Sequence, residues 1–129
     1  MKGSLGDRQR LIHMSESIAS ISQFLNEINK EQFLSNYMLQ LAITKLLENI
    51  GESANRITPD LKEEYKEIDW AVIVRSRNVY VHQYFALDLE TIWETATADL
   101  KPLKSKIDHI LIKKFSFQLI ELSNRKVLK

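Results

Sequence analysis

Apolar side chains recurring at steps of three and four residues constrain this chain more than any other feature of it. Leu11, Met14, Ile18, Ile21, Leu25 and Ile28 follow that spacing, which gathers them on one side of an α-helix. Asp7 is placed as the N-cap of this helix and Asn29 near its end. After a short link at Asn29–Glu31, a second helix is predicted from about Ser35 to Arg56. Its apolar set includes Tyr37, Met38, Leu41, Leu46, Leu47, Ile50, Ala54 and Ile57. Gly51 falls inside this pattern, where glycine costs about 1 kcal/mol relative to alanine, and it is read as a point where another backbone comes close. Thr58-Pro59 supplies an N-cap and a first-turn proline for a short third helix to about Glu67. Asp69 caps a fourth helix through Trp70, Ile73, Val74, Val81 and Tyr84. Asp88 caps a fifth, with Leu89, Ile92, Trp93, Ala96 and Leu100 on one face. Pro102 should kink or end that helix, with Leu103, Ile107, Ile110 and Leu111 continuing the stripe. Phe115, Phe117 and Leu119 alternate like a strand, while Leu111, Phe115 and Leu119 fit a helix, and the pattern does not decide between them.

Only three Gly and two Pro interrupt the 129 residues, and no internal repeat stands out. The expectation is an all-α protein: one domain over residues 1–129, folded as a single antiparallel bundle of about four to five main helices. Its core is expected over about residues 7–107, with residues 113–129 as a basic C-terminal extension. Hydrophobic residues at 44% and charged residues at 27% are a globular balance rather than a disordered one. The absence of cysteine excludes disulfides, thiolate metal sites and a cysteine nucleophile. Residues Met1 to Asp7 lack the apolar run of a signal peptide, and no stretch approaches the roughly 18–20 apolar residues that span a bilayer. A cytoplasmic protein with no membrane association is therefore expected. Charge is uneven: residues 1–100 hold 10 Lys+Arg against 15 Asp+Glu, a net −5, whereas residues 101–129 hold 8 against 2, a net +6. A basic end beside an acidic body is either a footprint for a polyanion or a solvated helix face.

Polar groups concentrate in one stretch, where Arg75, Arg77, Asn78, His82 and Tyr84 fall within ten residues. On a continuous helix Asn78 and His82, four apart, share a face. Arg77 aligns with Tyr84 and Arg75 with His82, because seven residues make nearly two turns. Arg77 and His82 lie five apart, so their Cβ vectors diverge by about 140° on an ideal helix. For both to act on one phosphate, the arginine must reach around, or the helix must distort or end near His82. The spacing leaves these open.

Arginine with histidine suits cleavage of RNA without a metal or other cofactor. The imidazole titrates near neutrality and can move the proton of the 2′-hydroxyl or of the leaving oxygen, a contribution of about 10²–10⁴-fold. A guanidinium stays charged and can fork onto phosphate oxygens as negative charge develops. Asn78 is positioned to orient the imidazole. The plainer alternative makes His82 a structural histidine and pairs Arg77 with an acidic neighbour such as Glu52. His13 and His109 read as surface residues, and no His/Asp/Glu set has metal-ligand spacing. Trp70 and Trp93 sit in the helical stripes and read as core.

Several motifs in order give these residues a context. Ile50-Gly51-Glu52-Ser53-Ala54 precedes Arg77-Asn78-x3-His82-x-Tyr84-Phe85, then Asp88-Leu89-x3-Trp93-Glu94, then Asp99-Leu100-x2-Leu103. Over about Asp7 to Ile107 the chain resembles the HepT-like toxins of the HEPN superfamily. The departures are Ser53 in place of a usual alanine, Asp69 in place of a frequent proline, and a tail after about Lys113 that matches nothing in the family. The resemblance implies a helical bundle that forms a homodimer, with the Arg-x4–6-His motifs of two protomers facing one cleft. It implies that Arg77 and His82 are catalytic in metal-independent RNA cleavage, with Asn78 orienting them and Arg75 and Glu52 supporting. It further implies a minimal nucleotidyltransferase antitoxin that silences the toxin by adding AMP to Tyr84, where charge and bulk would obstruct the cleft. Two rival readings keep the fold and drop the chemistry. One is a non-catalytic module whose polar cleft holds a nucleotide or the partner nucleotidyltransferase; the other is an adaptor in which Arg77 and His82 only stitch the dimer.

Overall fold

In a computed structural model, the backbone is described for residues 4–77, 81–82 and 86–128, and side chains for residues 6–77 and 87–115. The elements in order are α1 (Ser4–Phe24), α2 (Lys30–Leu34), α3 (Tyr37–Asn55), α4 (Pro59–Glu64), α5 (Trp70–Ser76), β1 (Val81–His82), β2 (Ala86–Leu87), α6 (Leu89–Glu94), a π-helical turn (Thr95–Asp99) and α7 (Leu100–Leu128). The protein is all-α apart from a two-residue ladder in which Val81 pairs Leu87 and His82 pairs Ala86.

The long helices α1, α3 and α7 pack together. Their directions follow from three contacts. Asp7, near the start of α1, accepts hydrogen bonds from the Thr58 amide at 2.9 Å and hydroxyl at 2.6 Å, just beyond the end of α3. Ser15 donates to Asp108 of α7 at 2.6 Å. Asp7 also lies close enough to Lys114 to favour its protonated form. Both α3 and α7 thus run antiparallel to α1. Leu11, Met14, Ile18 and Ile21 of α1 are buried with Ile43, Leu47, Ile50 and Ala54 of α3 and Ile107, Ile110 and Leu111 of α7.

Several expectations need correction. Asp7 is not the N-cap of α1, which starts earlier at Ser4; it is buried at 2% exposure and its two oxygens are spent on Thr58. Nor is Asn29–Glu31 a plain link. Asn29 is the N-cap of α2, accepting from Gln32 N at 2.8 Å while its own amide donates to Gln32 Oε1 at 2.9 Å, a reciprocal capping box. The chain reaches it from α1 through a turn in which Glu27 takes a positive φ of 59°. Helix α3 then begins at Tyr37 under an Asn36 cap. Its first turn leaves Tyr37 and Met38 exposed at 67% and 80%, because Gln40 turns inward in their stead and donates to the Phe33 and Leu34 carbonyls at 3.0 and 3.1 Å. Both carbonyls belong to the last turn of α2, where intrahelical partners run out.

Thr58 and Pro59 start α4 as the sequence predicts, although α4 stops at Glu64. The fifth predicted helix runs from α6 into α7 through the π-helical turn. Proline explains the wider turn: Pro102 has no amide for the Ala98 carbonyl and its ring crowds that oxygen. The Phe115 ambiguity resolves as helix with a break, since α7 continues to Leu128 but Phe115 itself has non-helical angles, φ −125° and ψ 24°. Just before it, Lys114 donates to Glu64 at 2.9 Å, and that hydrogen bond raises its pKa from 10.5. Among the described residues, no helix is long and apolar enough to cross a membrane.

Candidate active site

Helix α5 carries the first candidate residues. Asp69 caps it by accepting from the Val72 amide at 3.2 Å. Trp70 anchors it, buried at 6% exposure, with its indole donating to the Tyr65 carbonyl at 3.1 Å. The predicted run of this helix to Tyr84 is incorrect: it ends at Ser76, Arg77 is its C-cap, and Val81–His82 is extended. The alignments expected on one continuous helix, Asn78 with His82, Arg77 with Tyr84 and Arg75 with His82, therefore do not apply. Of the three possibilities that the spacing left open, the backbone follows the one in which the helix ends before the histidine.

What fixes Arg77 is Gly51. A Cβ on Gly51 would sit 2.7 Å from Arg77 Cβ and 3.2 Å from the Ile73 carbonyl oxygen. Only a residue without a side chain lets the last turn of α5 lie this close to α3, which is the close approach expected of Gly51. The next residue, Glu52, then reaches the guanidinium, with Arg77 Nη1 donating to Glu52 Oε1 at 2.6 Å. The two side chains are 29% and 53% exposed, so the pair is solvent-screened, of the kind that contributes about 0–1 kcal/mol. Its consequence is orientation: a guanidinium carries five donors in a rigid plane, and holding one end aims the remainder.

Arg75, two residues earlier in the last turn of α5, is exposed. The backbone of His82 pairs with Ala86 in the short ladder; the His82 side chain, Asn78 and Tyr84 lie outside the described residues. Beyond the ladder, Asp88 caps α6 by accepting from the Thr91 amide at 3.2 Å and hydroxyl at 2.8 Å. Trp93 packs on Phe33 with ring centroids 5.3 Å apart, which bears out a core role for it. Among the described residues no three His, Asp or Glu side chains are grouped closely enough to hold a metal ion.

An open cleft of about 800 Å³ between α1 and α3 was not foreseen from the sequence. Arg8, Arg10, His13, Asn49, Glu52 and Arg56 are among its lining residues. The signal was present in the sequence as three arginines among only six, but nothing in their spacing shows that Arg56 folds opposite Arg8 and Arg10.

The family model described as ribonuclease HepT-like matches residues 14–110. The chain belongs to the HepT-like family. The matched segment contains α3, α5, the ladder and α6, hence Glu52, Arg77 and His82, and stops short of residues 113–129. Similar proteins include "Probable ribonuclease HepT" of Thermococcus cleftensis, 35% identical over 97 residues that cover 75% of this chain and 88% of that protein. "Putative RNase MJ1216" of Methanocaldococcus jannaschii is 31% identical over 101 residues, 78% of this chain and 84% of the relative. "Putative RNase TTE0752" of Caldanaerobacter subterraneus is 26% identical over 106 residues, 82% and 95% of the two chains. No solved structure gives a significant match.

Proposed function

We propose that this HepT-like chain is a metal-independent endoribonuclease, the toxin of a toxin–antitoxin pair, acting as a homodimer in which Arg77 and His82 work on one scissile phosphate. The observation that carries the reading is the position of Arg77: it ends α5, backed against Gly51 and held by Glu52, with extended backbone rather than helix at His82. The half-turn divergence that a continuous helix would impose on the two residues is thereby removed. That the relatives carry ribonuclease names supports the same chemistry.

In this reading the imidazole of His82 takes the proton of the ribose 2′-hydroxyl. The 2′-oxygen attacks phosphorus, the bond from phosphorus to the 5′-oxygen breaks, and that oxygen receives a proton, leaving a 2′,3′-cyclic phosphate and a 5′-hydroxyl. Arg77 offers donors to the non-bridging oxygens as charge builds on the phosphorane. Asn78 orients the imidazole, and Arg75 and Glu52 support the arginine. The partner is a minimal nucleotidyltransferase antitoxin: the Tyr84 phenolic oxygen attacks the α-phosphorus of ATP, pyrophosphate leaves, and the bound AMP places charge and bulk beside the cleft.

Incubating the purified protein with RNA in EDTA should yield fragments with cyclic phosphate ends, and His82→Ala should abolish them. Equal cleavage by both proteins would assign the activity to another site. The Glu52 bond favours one second reading, in which Arg77 is purely structural. Glu52→Gln distinguishes the two, because it should lower the cleavage rate about tenfold while costing under about 1 kcal/mol of stability; an unchanged rate favours the structural role.

A further inference from the structure

We infer that the cleft between α1 and α3 is a track for the phosphates of single-stranded RNA, holding the strand beside the scissile linkage. This rests on the nuclease reading and names a binding surface for it. Three observations carry it. Glu52 lines the cleft and also bonds Arg77, so the cleft opens directly beside the proposed catalytic arginine. Three of the chain's six arginines, Arg8, Arg10 and Arg56, line it, although residues 1–100 as a whole carry a net −5. Against them stand Glu16 and Glu52, and Glu52 is engaged by Arg77. Finally, Arg8 Nε is buried without a hydrogen-bond partner among the described residues, so the cleft wall carries a polar group whose hydrogen bonding those residues leave incomplete.

Arginine rather than lysine points to phosphate, since the planar fork takes two oxygens at once. Among the described residues the cleft lining holds no Phe, Tyr or Trp, so its contacts are to the backbone of a strand rather than to stacked bases. Binding there should be tolerant of sequence and sensitive to salt. His13, exposed and 3.4 Å from the Gln9 amide nitrogen, adds a second polar head to the same wall. Arg8, Arg10 and Arg56 are thus positioning residues, acting on where the strand lies and not on the reacting atoms.

The test uses the full chain and a short 2′-O-methyl RNA that binds without being cut. Arg10→Ala/Arg56→Ala should weaken binding on the order of tenfold or more, and should flatten the slope of log affinity against log salt by about 1.4 for two lost phosphate contacts. On cleavable RNA the same variant should raise KM far more than it lowers kcat. Arg56→Lys should recover the salt slope but only part of the affinity. If wild type cleaves RNA and the double variant binds with the same affinity and slope, the track is overturned and the nuclease reading stands. If wild type neither binds nor cleaves RNA, both fall. A double variant of smaller mass by light scattering would make the cleft a protein interface and also overturn the track.

Discussion

Gly51 shows how much of the site depends on one missing side chain. Alanine favours helix by about 1 kcal/mol over glycine, so on propensity alone Gly51→Ala would stabilise α3. Contact outweighs propensity here. The new Cβ would meet the Cβ of Arg77 at 2.7 Å and a backbone oxygen at 3.2 Å, and neither is the free end of a flexible side chain that can swing away. Overpacking of this kind costs about 1–3 kcal/mol, so the variant should unfold at a lower temperature than wild type. The strain is relieved only by pushing the end of α5 off α3, which carries Arg77 away from Glu52. A displacement near 1 Å at a catalytic group costs on the order of 100-fold in rate. Cleavage should therefore fall far more than the folded fraction does, measured by RNA assay beside thermal melting; retained activity with a lowered melting temperature would separate Gly51 from the site. That role was legible in the sequence, because a glycine inside an apolar helical pattern is costly and needs a cause. The partner was not, since nothing in the order of residues says that the backbone approaching Gly51 is that of Arg77.

Helix boundaries divide by what sets them. Caps set by a local side chain were readable: Thr58 with Pro59, Asp69 and Asp88 all start helices where expected. Boundaries set by distant packing were not. Residues 77–84 contain no proline or glycine, so periodicity carries a helix through them; α5 nonetheless ends at Ser76. Asp7 fails in the opposite sense, since its spacing from Leu11 suits a cap but Thr58, 51 residues away, takes both its oxygens. Helix α2 was missed because five residues hold too little periodicity to register, although the Asn29-x-x-Gln32 capping signature was there. That signature should matter in proportion to the brevity of the helix. Asn29→Ala removes the acceptor for the Gln32 amide and should cost about 1 kcal/mol, lowering the melting temperature by about 4 °C for a chain of this size. Fraying of α2 would loosen Phe33, fully buried and packed at a tilt on Trp93. Amide exchange at Phe33, whose N–H donates to the Asn29 carbonyl at 3.0 Å, should accelerate more than exchange in α3. Uniform acceleration across both helices would instead mean that the cap acts on global stability alone.

At the scale of the whole molecule, the fold brings Glu52 of α3 to Arg77 at the end of α5 and sets the backbone of His82 in the ladder that follows, while α1 closes the arginine-lined cleft against α3. One protomer offers one guanidinium and one imidazole of this motif, and a homodimer with both motifs in a shared cleft offers two of each. These arrangements predict different behaviour when inactive chains are mixed. Arg77→Ala and His82→Ala homodimers each lack one kind of group entirely and should be inactive. A mixed dimer keeps one Arg77 and one His82, but on opposite protomers. If each active site is assembled within a single chain, no protomer of the mixed dimer is complete and activity stays absent. If the cleft is shared, the surviving arginine can stabilise the phosphorane while the partner's imidazole moves the proton, and the mixed dimer should recover a substantial fraction of the wild-type rate. Co-expressing the two variants with different affinity tags and purifying through both isolates that species. Each variant dimer passed through the same steps controls for trace wild-type nuclease, since Arg77 and His82 are removed without touching Gly51, the Asp69 cap or the Trp70 anchor that hold α5 in place.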